Sequence, residues 1–162
     1  MGDINTNKLD NLYQLARRAK DDNNIDNAVK YYEQILLEDP NSWEAAFYSA
    51  FYSAVKQFKS GKTGSAIVSL QNFIDSVFDL ITNNVSDTDS QKVATSEVTT
   101  NVVQFCEVIV DDFTTEFEKF NSAYMKTLFS SSDSETSKHN ERVFDEKVAQ
   151  KDNRKIGIAQ VY

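Results

Sequence analysis

The chain of 162 residues has a length that suits one domain with a single hydrophobic core. It contains 11 Phe and 7 Tyr but only 4 Gly and 1 Pro, and a β-protein of this size would need many more turn formers, so an all-α fold is predicted. The net charge of −8 argues against binding to nucleic acids and to anionic membranes, because both need a basic surface.

The first two predicted helices form a hairpin. One face of residues 7–21 carries Leu9, Leu12, Tyr13, Ala16 and Ala19. Thr6 or Asn7 is the expected cap of this helix. The second helix runs from about Asp26 to Glu38 and ends before Pro40, because the residue before a proline avoids the α region.

A third helix is predicted from Asn41, its expected cap, to about Ser60, with Glu44 at the capping-box position. Its aromatic face consists of Trp43, Phe47, Tyr48, Phe51, Tyr52 and Phe58. These side chains either line an open groove or fill the core. About half of the chain follows this helical region and can cover the face, so the core is favoured over the groove.

The rest of the chain is also predicted to be helical. A fourth helix covers about 65–82, and a long helix follows at 88–129, with a bend or a break expected near 95–101 because that segment is rich in poor helix formers. The long helix carries an aromatic stripe made of Phe105, Phe113, Phe117, Phe120 and Tyr124. Residues 130–137 form a polar linker, and 138–162 form a charged C-terminal helix and tail.

Residues 9–42 resemble the tetratricopeptide repeat (TPR), a helix–turn–helix unit of about 34 residues. The matching positions are Leu12, Leu15, Ala16, Ala28, Tyr32 and Pro40. The departures are Ala19, Asn23 and Ile35. The resemblance implies a TPR-like hairpin at 9–42, a degenerate second hairpin at 43–82, and a long C-terminal helix or helix pair that closes a single domain over 1–162.

The same segment is similar to uncharacterised bacterial proteins that couple a short repeat region to further helices. Many of those proteins carry an N-terminal zinc ribbon, but this chain has a single cysteine, Cys106, and therefore cannot form one. No metal or cofactor is expected. Because no apolar run approaches the ~20 residues of a membrane span, a cytoplasmic protein is predicted.

The resemblance implies a surface for a protein or peptide partner. Proteins of the family bind peptides on the concave side of each first helix, which corresponds here to Asp10, Tyr13, Gln14, Arg17, Lys20 and Asp21. Arginine can hold a carboxylate through two hydrogen bonds, so an acidic or C-terminal peptide is the expected ligand. The alternative is that so few repeats form no groove and these residues are ordinary surface.

Candidate catalytic features are weak. Gly61-Lys62-Thr63 copies the end of a phosphate-binding loop, but the earlier glycine is replaced by Lys56 and no strand precedes it, so a helix end and turn is predicted. His139, the only histidine, has no orienting neighbour. The leading hypothesis is therefore a non-enzymatic interaction or scaffold module. The alternative is a structural protein that self-associates through the Phe-rich stripe at 98–128.

Overall fold

The computed structural model describes residues 3–130 and 134–159, and these residues form six α-helices and no strand. The helices are α1 (Asp3–Asp21), α2 (Ile25–Glu38), α3 (Trp43–Lys59), α4 (Thr63–Asn84), α5 (Thr88–Ser130) and α6 (Ser134–Ala159). The predicted all-α fold is confirmed.

The chain divides into two compact units, and the division falls inside α5, after Val102. The first unit contains α1 to α4 and residues 88–102 of α5. The second contains residues 103–130 of α5 together with α6. The single domain expected from the sequence stays a prediction.

In the first unit, α1 packs against α2, α2 against α3, and α3 against α4. Ala16 and Ala28 are completely buried, so the small side chains at these repeat positions fit a close approach of α1 and α2. Leu15, which the resemblance placed at an apolar position, is instead 43% exposed. It lies at the edge of the stripe formed by Leu12 and Ala16, where a helix meets solvent.

The turn between α1 and α2 uses asparagines where the repeat has a glycine. Asn23 has a φ of 54°, a left-handed conformation that asparagine tolerates better than most residues. The Asn24 side chain caps α2 by accepting a hydrogen bond of 3.2 Å from the Asn27 amide. Because α1 begins at Asp3, Thr6 and Asn7 lie inside the helix, and their prediction as caps is wrong.

The cap of α3 is Ser42, not the predicted Asn41. Ser42 Oγ accepts a hydrogen bond of 3.2 Å from the Ala45 amide. The Asn41 amide donates to Asp39 Oδ1 at 3.1 Å, so Asn41 belongs to the turn around Pro40 and the helix starts later. Glu44 lies in the first turn of α3 but is directed to another partner, Arg17.

The turn between α3 and α4 agrees with the interpretation of Gly61-Lys62-Thr63 as a helix end. Gly61 has a φ of 78°, which L-residues with a side chain rarely adopt. The Lys62 amide donates to the Gln57 carbonyl at 2.9 Å and closes the last turn of α3. The element before this glycine is a helix, whereas a phosphate-binding loop follows a strand.

The helix α5 continues through 95–101, so the helix has no break there, whereas the bend expected as the alternative stays a prediction. Val98 and Val102 are buried, and tertiary packing of this kind outweighs the weak helix propensity of the segment. Residues 134–137, predicted as part of the polar linker, already belong to α6, which continues to Ala159. Residue 130 of that linker is the last residue of α5, whereas 131–133 and the tail at 160–162 lie outside the described residues.

In the second unit, Phe144 of α6 packs on the aromatic stripe of α5. Its ring centroid lies 4.8 Å from that of Tyr124 and 6.4 Å from that of Phe120. The Phe117 ring centroid lies 6.2 Å from that of Phe144. Lys151 Nζ lies 4.3 Å from the Phe117 centroid. Much of the predicted stripe is therefore occupied by contacts within its own chain.

We expect Ser42→Ala to lower the free energy of unfolding by about 1 kcal/mol, the typical value for losing an N-cap side chain. The same substitution also removes the acceptor of a hydrogen bond from Tyr13. Asn41→Ala is the matched control, because its side chain does not cap α3, and it should cost clearly less. Urea unfolding followed by circular dichroism measures both; equal effects would contradict the assignment of Ser42 as the cap.

Candidate binding site

The six residues of the predicted binding surface differ in what surrounds them. Asp10, Gln14 and Asp21 are exposed on α1. Tyr13, Arg17 and Lys20 instead make polar contacts with residues of α3, its cap or α5. Half of the surface is therefore ordinary solvent-facing helix, and the other half contacts the rest of the first unit.

Arg17 and Glu44 form a bidentate ion pair. Arg17 Nε lies 2.9 Å from Glu44 Oε1, and Nη2 lies 2.6 Å from Oε2. The Glu44 side chain is only 11% exposed, whereas that of Arg17 is 57% exposed. These hydrogen bonds raise the pKa of Arg17. The edge of the guanidinium that was predicted to hold a partner's carboxylate is occupied by a carboxylate of the protein itself.

Tyr32 completes the environment of Glu44. Its hydroxyl donates a hydrogen bond of 3.1 Å to Glu44 Oε1, and its ring is completely buried. Burial, followed by the nearby Glu44 charge, raises the pKa of Tyr32. A single carboxylate thus accepts hydrogen bonds from α1 and α2 while it belongs to α3, and it joins all three helices.

Lys20 takes part in a second polar network. Its Nζ lies 3.2 Å from Glu97 Oε1 on α5 and 4.4 Å from the centroid of the Tyr48 ring. The Tyr48 hydroxyl donates to the same Glu97 oxygen. Glu97 of α5 therefore contacts α1 and α3 at the side chains of Lys20 and Tyr48, where the resemblance implied an open concave surface.

The aromatic face of α3 is divided between core and surface. Phe47, Tyr48 and Phe51 are buried. The Tyr48 ring stacks on Tyr32 with a centroid distance of 5.2 Å, and Phe47 stacks on Phe51 at the same distance. The three remaining residues of the face are partly exposed: Trp43, Tyr52 and Phe58.

A cleft of about 430 Å³ lies at the start of α3. Its lining residues come from α1, the α2–α3 turn, the first turn of α3, the last residue of α4 and the residue after α4. We call it the α3 cleft; its lining residues are Tyr13, Arg17, Asp39, Asn41, Ser42, Trp43, Glu44, Asn84 and Val85. It brings together two residues of the predicted α1 surface and the most N-terminal residue of the aromatic face.

Several cleft residues were not identified as binding residues from the sequence. Asp39 and Asn41 were assigned only to the helix end and cap, and Glu44 to a capping box. A polar run around a proline next to a lone tryptophan is the only local signal for them. Asn84 and Val85 carried no signal, because they are distant in sequence and only the packing of α4 on α3 brings them to the cleft.

Other chemistry has little structural support. Among the residues whose side chains the structure describes, His, Cys, Asp and Glu form no group of three or more that could hold a metal ion. His139 is exposed on α6, and Cys106 is buried, which raises the pKa of its thiol. Over the same residues, each helix is too short or too polar to cross a lipid bilayer.

Comparison of the chain with protein-family models, with curated proteins and with solved structures found no match. The similarity to the tetratricopeptide repeat therefore rests on the residues quoted above, and the site is interpreted from its own geometry.

We expect Glu44→Ala to lower the free energy of unfolding by about 2 to 3 kcal/mol. The substitution removes both Arg17 hydrogen bonds and leaves the buried Tyr32 hydroxyl without its acceptor. Arg17→Ala should cost less, about 1 kcal/mol, because Arg17 is largely exposed and its truncation opens the Glu44 carboxylate to water, which replaces the lost hydrogen bonds. Urea unfolding of the two variants compares them; a larger loss for Arg17→Ala would contradict the role of Glu44 as the shared acceptor.

We also expect stability to fall at alkaline pH. Burial raises the pKa of Tyr52 from 10.0 to about 12, and burial also raises the pKa of Tyr48. The folded protein therefore retains phenolic protons that the unfolded chain releases. Stability from these groups is complete below pH 10.0 and is lost as the pH rises through the folded values. Thermal unfolding across this range should show the decline, and Tyr52→Phe should reduce its slope between pH 10 and 12. An unchanged slope in Tyr52→Phe would contradict the contribution of Tyr52 to stability at alkaline pH.

Proposed function

We propose that the protein is a non-enzymatic interaction module and binds a peptide segment of a partner protein in the α3 cleft. The observation that carries this proposal is the position of Trp43, the only tryptophan of the chain, partly exposed in the wall of that cleft. Tryptophan offers a large, rigid contact area at low entropic cost and is enriched among residues that dominate binding energy.

The walls of the cleft are held in place before any ligand arrives. Arg17 is fixed by its bidentate contact with Glu44, and the Tyr13 hydroxyl donates a hydrogen bond of 2.6 Å to Ser42 Oγ. Side chains that are already ordered lose little conformational entropy on binding, which favours affinity. This preorganisation supports a recognition site over an incidental depression.

The α3 cleft shares two residues with the binding surface that the TPR resemblance implies. Tyr13 and Arg17 belong to both, whereas Lys20 does not line the cleft and instead contacts Glu97. The proposed site is therefore displaced along α1 toward the cap of α3. Peptide binding by a TPR-like hairpin remains part of the proposal, but at the α3 cleft and not at Lys20, which pairs with Glu97.

The polar groups of the cleft favour binding over catalysis. Ser42 has the one aliphatic hydroxyl among the lining residues. Its Oγ accepts a hydrogen bond from the Tyr13 hydroxyl. A phenol is protonated at neutral pH, and burial raises the pKa of Tyr13 above its ordinary value. A nucleophilic serine needs a neighbouring base that takes its proton, and this pair is arranged in the opposite sense.

The alternative function, self-association through the Phe-rich stripe at 98–128, has less support. Phe117, Phe120 and Tyr124 already contact Phe144 of the same chain. Val108 and Met125 remain exposed on α5 and are available for contact with a second copy. Molar mass measured by light scattering over a range of concentrations separates the two functions.

The proposal is tested by selecting a random-peptide display library on the immobilised protein. We expect a family of related peptides to be enriched, and Trp43→Ala to reduce their binding at least roughly tenfold, as for a dominant interface residue. Asp75→Asn is the matched control, because Asp75 is exposed on α4 and does not line the cleft.

Circular dichroism of each variant verifies that its helices are retained. Enrichment of no peptide family above the unselected library would overturn the proposed function. Equal binding of the enriched peptides to wild type and to Trp43→Ala would overturn the assignment to the α3 cleft.

A further inference from the structure

The charges that line the α3 cleft do not balance. The cleft contains the carboxylates of Asp39 and Glu44 and the guanidinium of Arg17. Arg17 and Glu44 neutralise each other through two hydrogen bonds, so the carboxylate of Asp39 is left in excess. The net charge of the whole chain, −8, adds a long-range potential of the same sign.

Asp39 lines the cleft with a carboxylate that can accept further hydrogen bonds. It is partly exposed at the end of α2, and its backbone amide donates to the Ile35 carbonyl, which fixes the residue. Its Oδ1 accepts one hydrogen bond, of 3.1 Å, from the Asn41 amide. Within the described part of the chain, no Lys or Arg side chain forms an ion pair with it.

Trp43 supplies the second element of a cation site. The face of an indole attracts ammonium and guanidinium groups more strongly than any other side-chain ring. Trp43 is partly exposed and lines the same cleft as Asp39. An aromatic side chain and a carboxylate therefore line the same cleft.

An acidic ligand, which the sequence suggested, fits this cleft less well. It would meet the excess charge of Asp39 and would have to share Arg17 with Glu44, whose carboxylate already holds the Nε edge of the guanidinium. Displacing Glu44 would also remove the acceptor of the buried Tyr32 hydroxyl, which costs free energy.

We propose that the α3 cleft recognises a basic side chain, arginine or lysine, of the partner peptide, with Asp39 pairing its charge and Trp43 contacting its apolar stem and cationic group. This inference rests on the proposed peptide-binding function and names its ligand class. Arginine is the better fit, because its planar guanidinium can stack on an indole and form two hydrogen bonds with a carboxylate.

The test is a fluorescence titration of the intact protein with short capped peptides of glycine and serine that differ only in their central residue: arginine, lysine, glutamine or glutamate. Trp43 is the only tryptophan, so its emission reports directly on the α3 cleft. We expect the arginine and lysine peptides to change the emission saturably and the glutamine and glutamate peptides to bind at least roughly tenfold more weakly, a charge-assisted difference.

Two further measurements place the interaction at Asp39. Asp39→Asn keeps the size of the side chain and the acceptor for the Asn41 amide but removes the charge, and it should weaken the arginine peptide roughly tenfold. Asp75→Asn, which removes an exposed charge of α4 outside the cleft, should not. Added salt should weaken binding to wild type more than binding to Asp39→Asn.

The outcomes separate this inference from the function on which it rests. If the library selection enriches peptides that bind through Trp43 but contain no basic residue, or if the glutamate peptide binds as tightly as the arginine peptide, the ligand class is wrong and the interaction function stands. Equal affinity of the arginine peptide for wild type and Asp39→Asn would overturn the role of Asp39. Enrichment of no peptide at all overturns the proposed function itself.

Discussion

The arrangement of the first three helices depends on one nearly buried carboxylate. Glu44 accepts two hydrogen bonds from Arg17 of α1 and one from Tyr32 of α2, and it is itself part of α3. A buried charge is stable only if its lone pairs are satisfied, so each of these partners constrains the position of its helix. The same contacts hold Arg17 beside Trp43 and so define one wall of the α3 cleft.

A second carboxylate, Glu97, shapes the surface beside this centre. It accepts a hydrogen bond from the Tyr48 hydroxyl and forms an ion pair with Lys20. It lies on the segment of α5 that belongs to the first unit. The cations that made α1 look like a site for acidic ligands thus balance acids of the same chain. The binding site that we propose is the α3 cleft, where Trp43 and Asp39 are partly exposed and the excess charge is negative.

The sequence predicted some elements well because their signals are local. The stripe of Ala16, Ala28 and Tyr32 indicated the faces along which α1 and α2 are buried, and all three side chains are buried. The continuity of α5 through 95–101 was missed, because helix propensity is a weak term that burial of Val98 and Val102 exceeds. The cap at Ser42 was missed by one residue, because Asn41 is held in the turn after Asp39.

By itself, the sequence determined that the chain is helical, where most of its helices lie, and that Ala16, Ala28 and Tyr32 are buried. These properties follow from turn formers and from the period of apolar residues, which act over a few positions along the chain. Only the tertiary structure decided that Arg17 pairs with Glu44, that Glu97 covers Lys20, and that Asn84 reaches the cleft. Such pairings join residues far apart in sequence, and charge or polarity at one position does not specify which distant partner folding will bring within hydrogen-bonding distance.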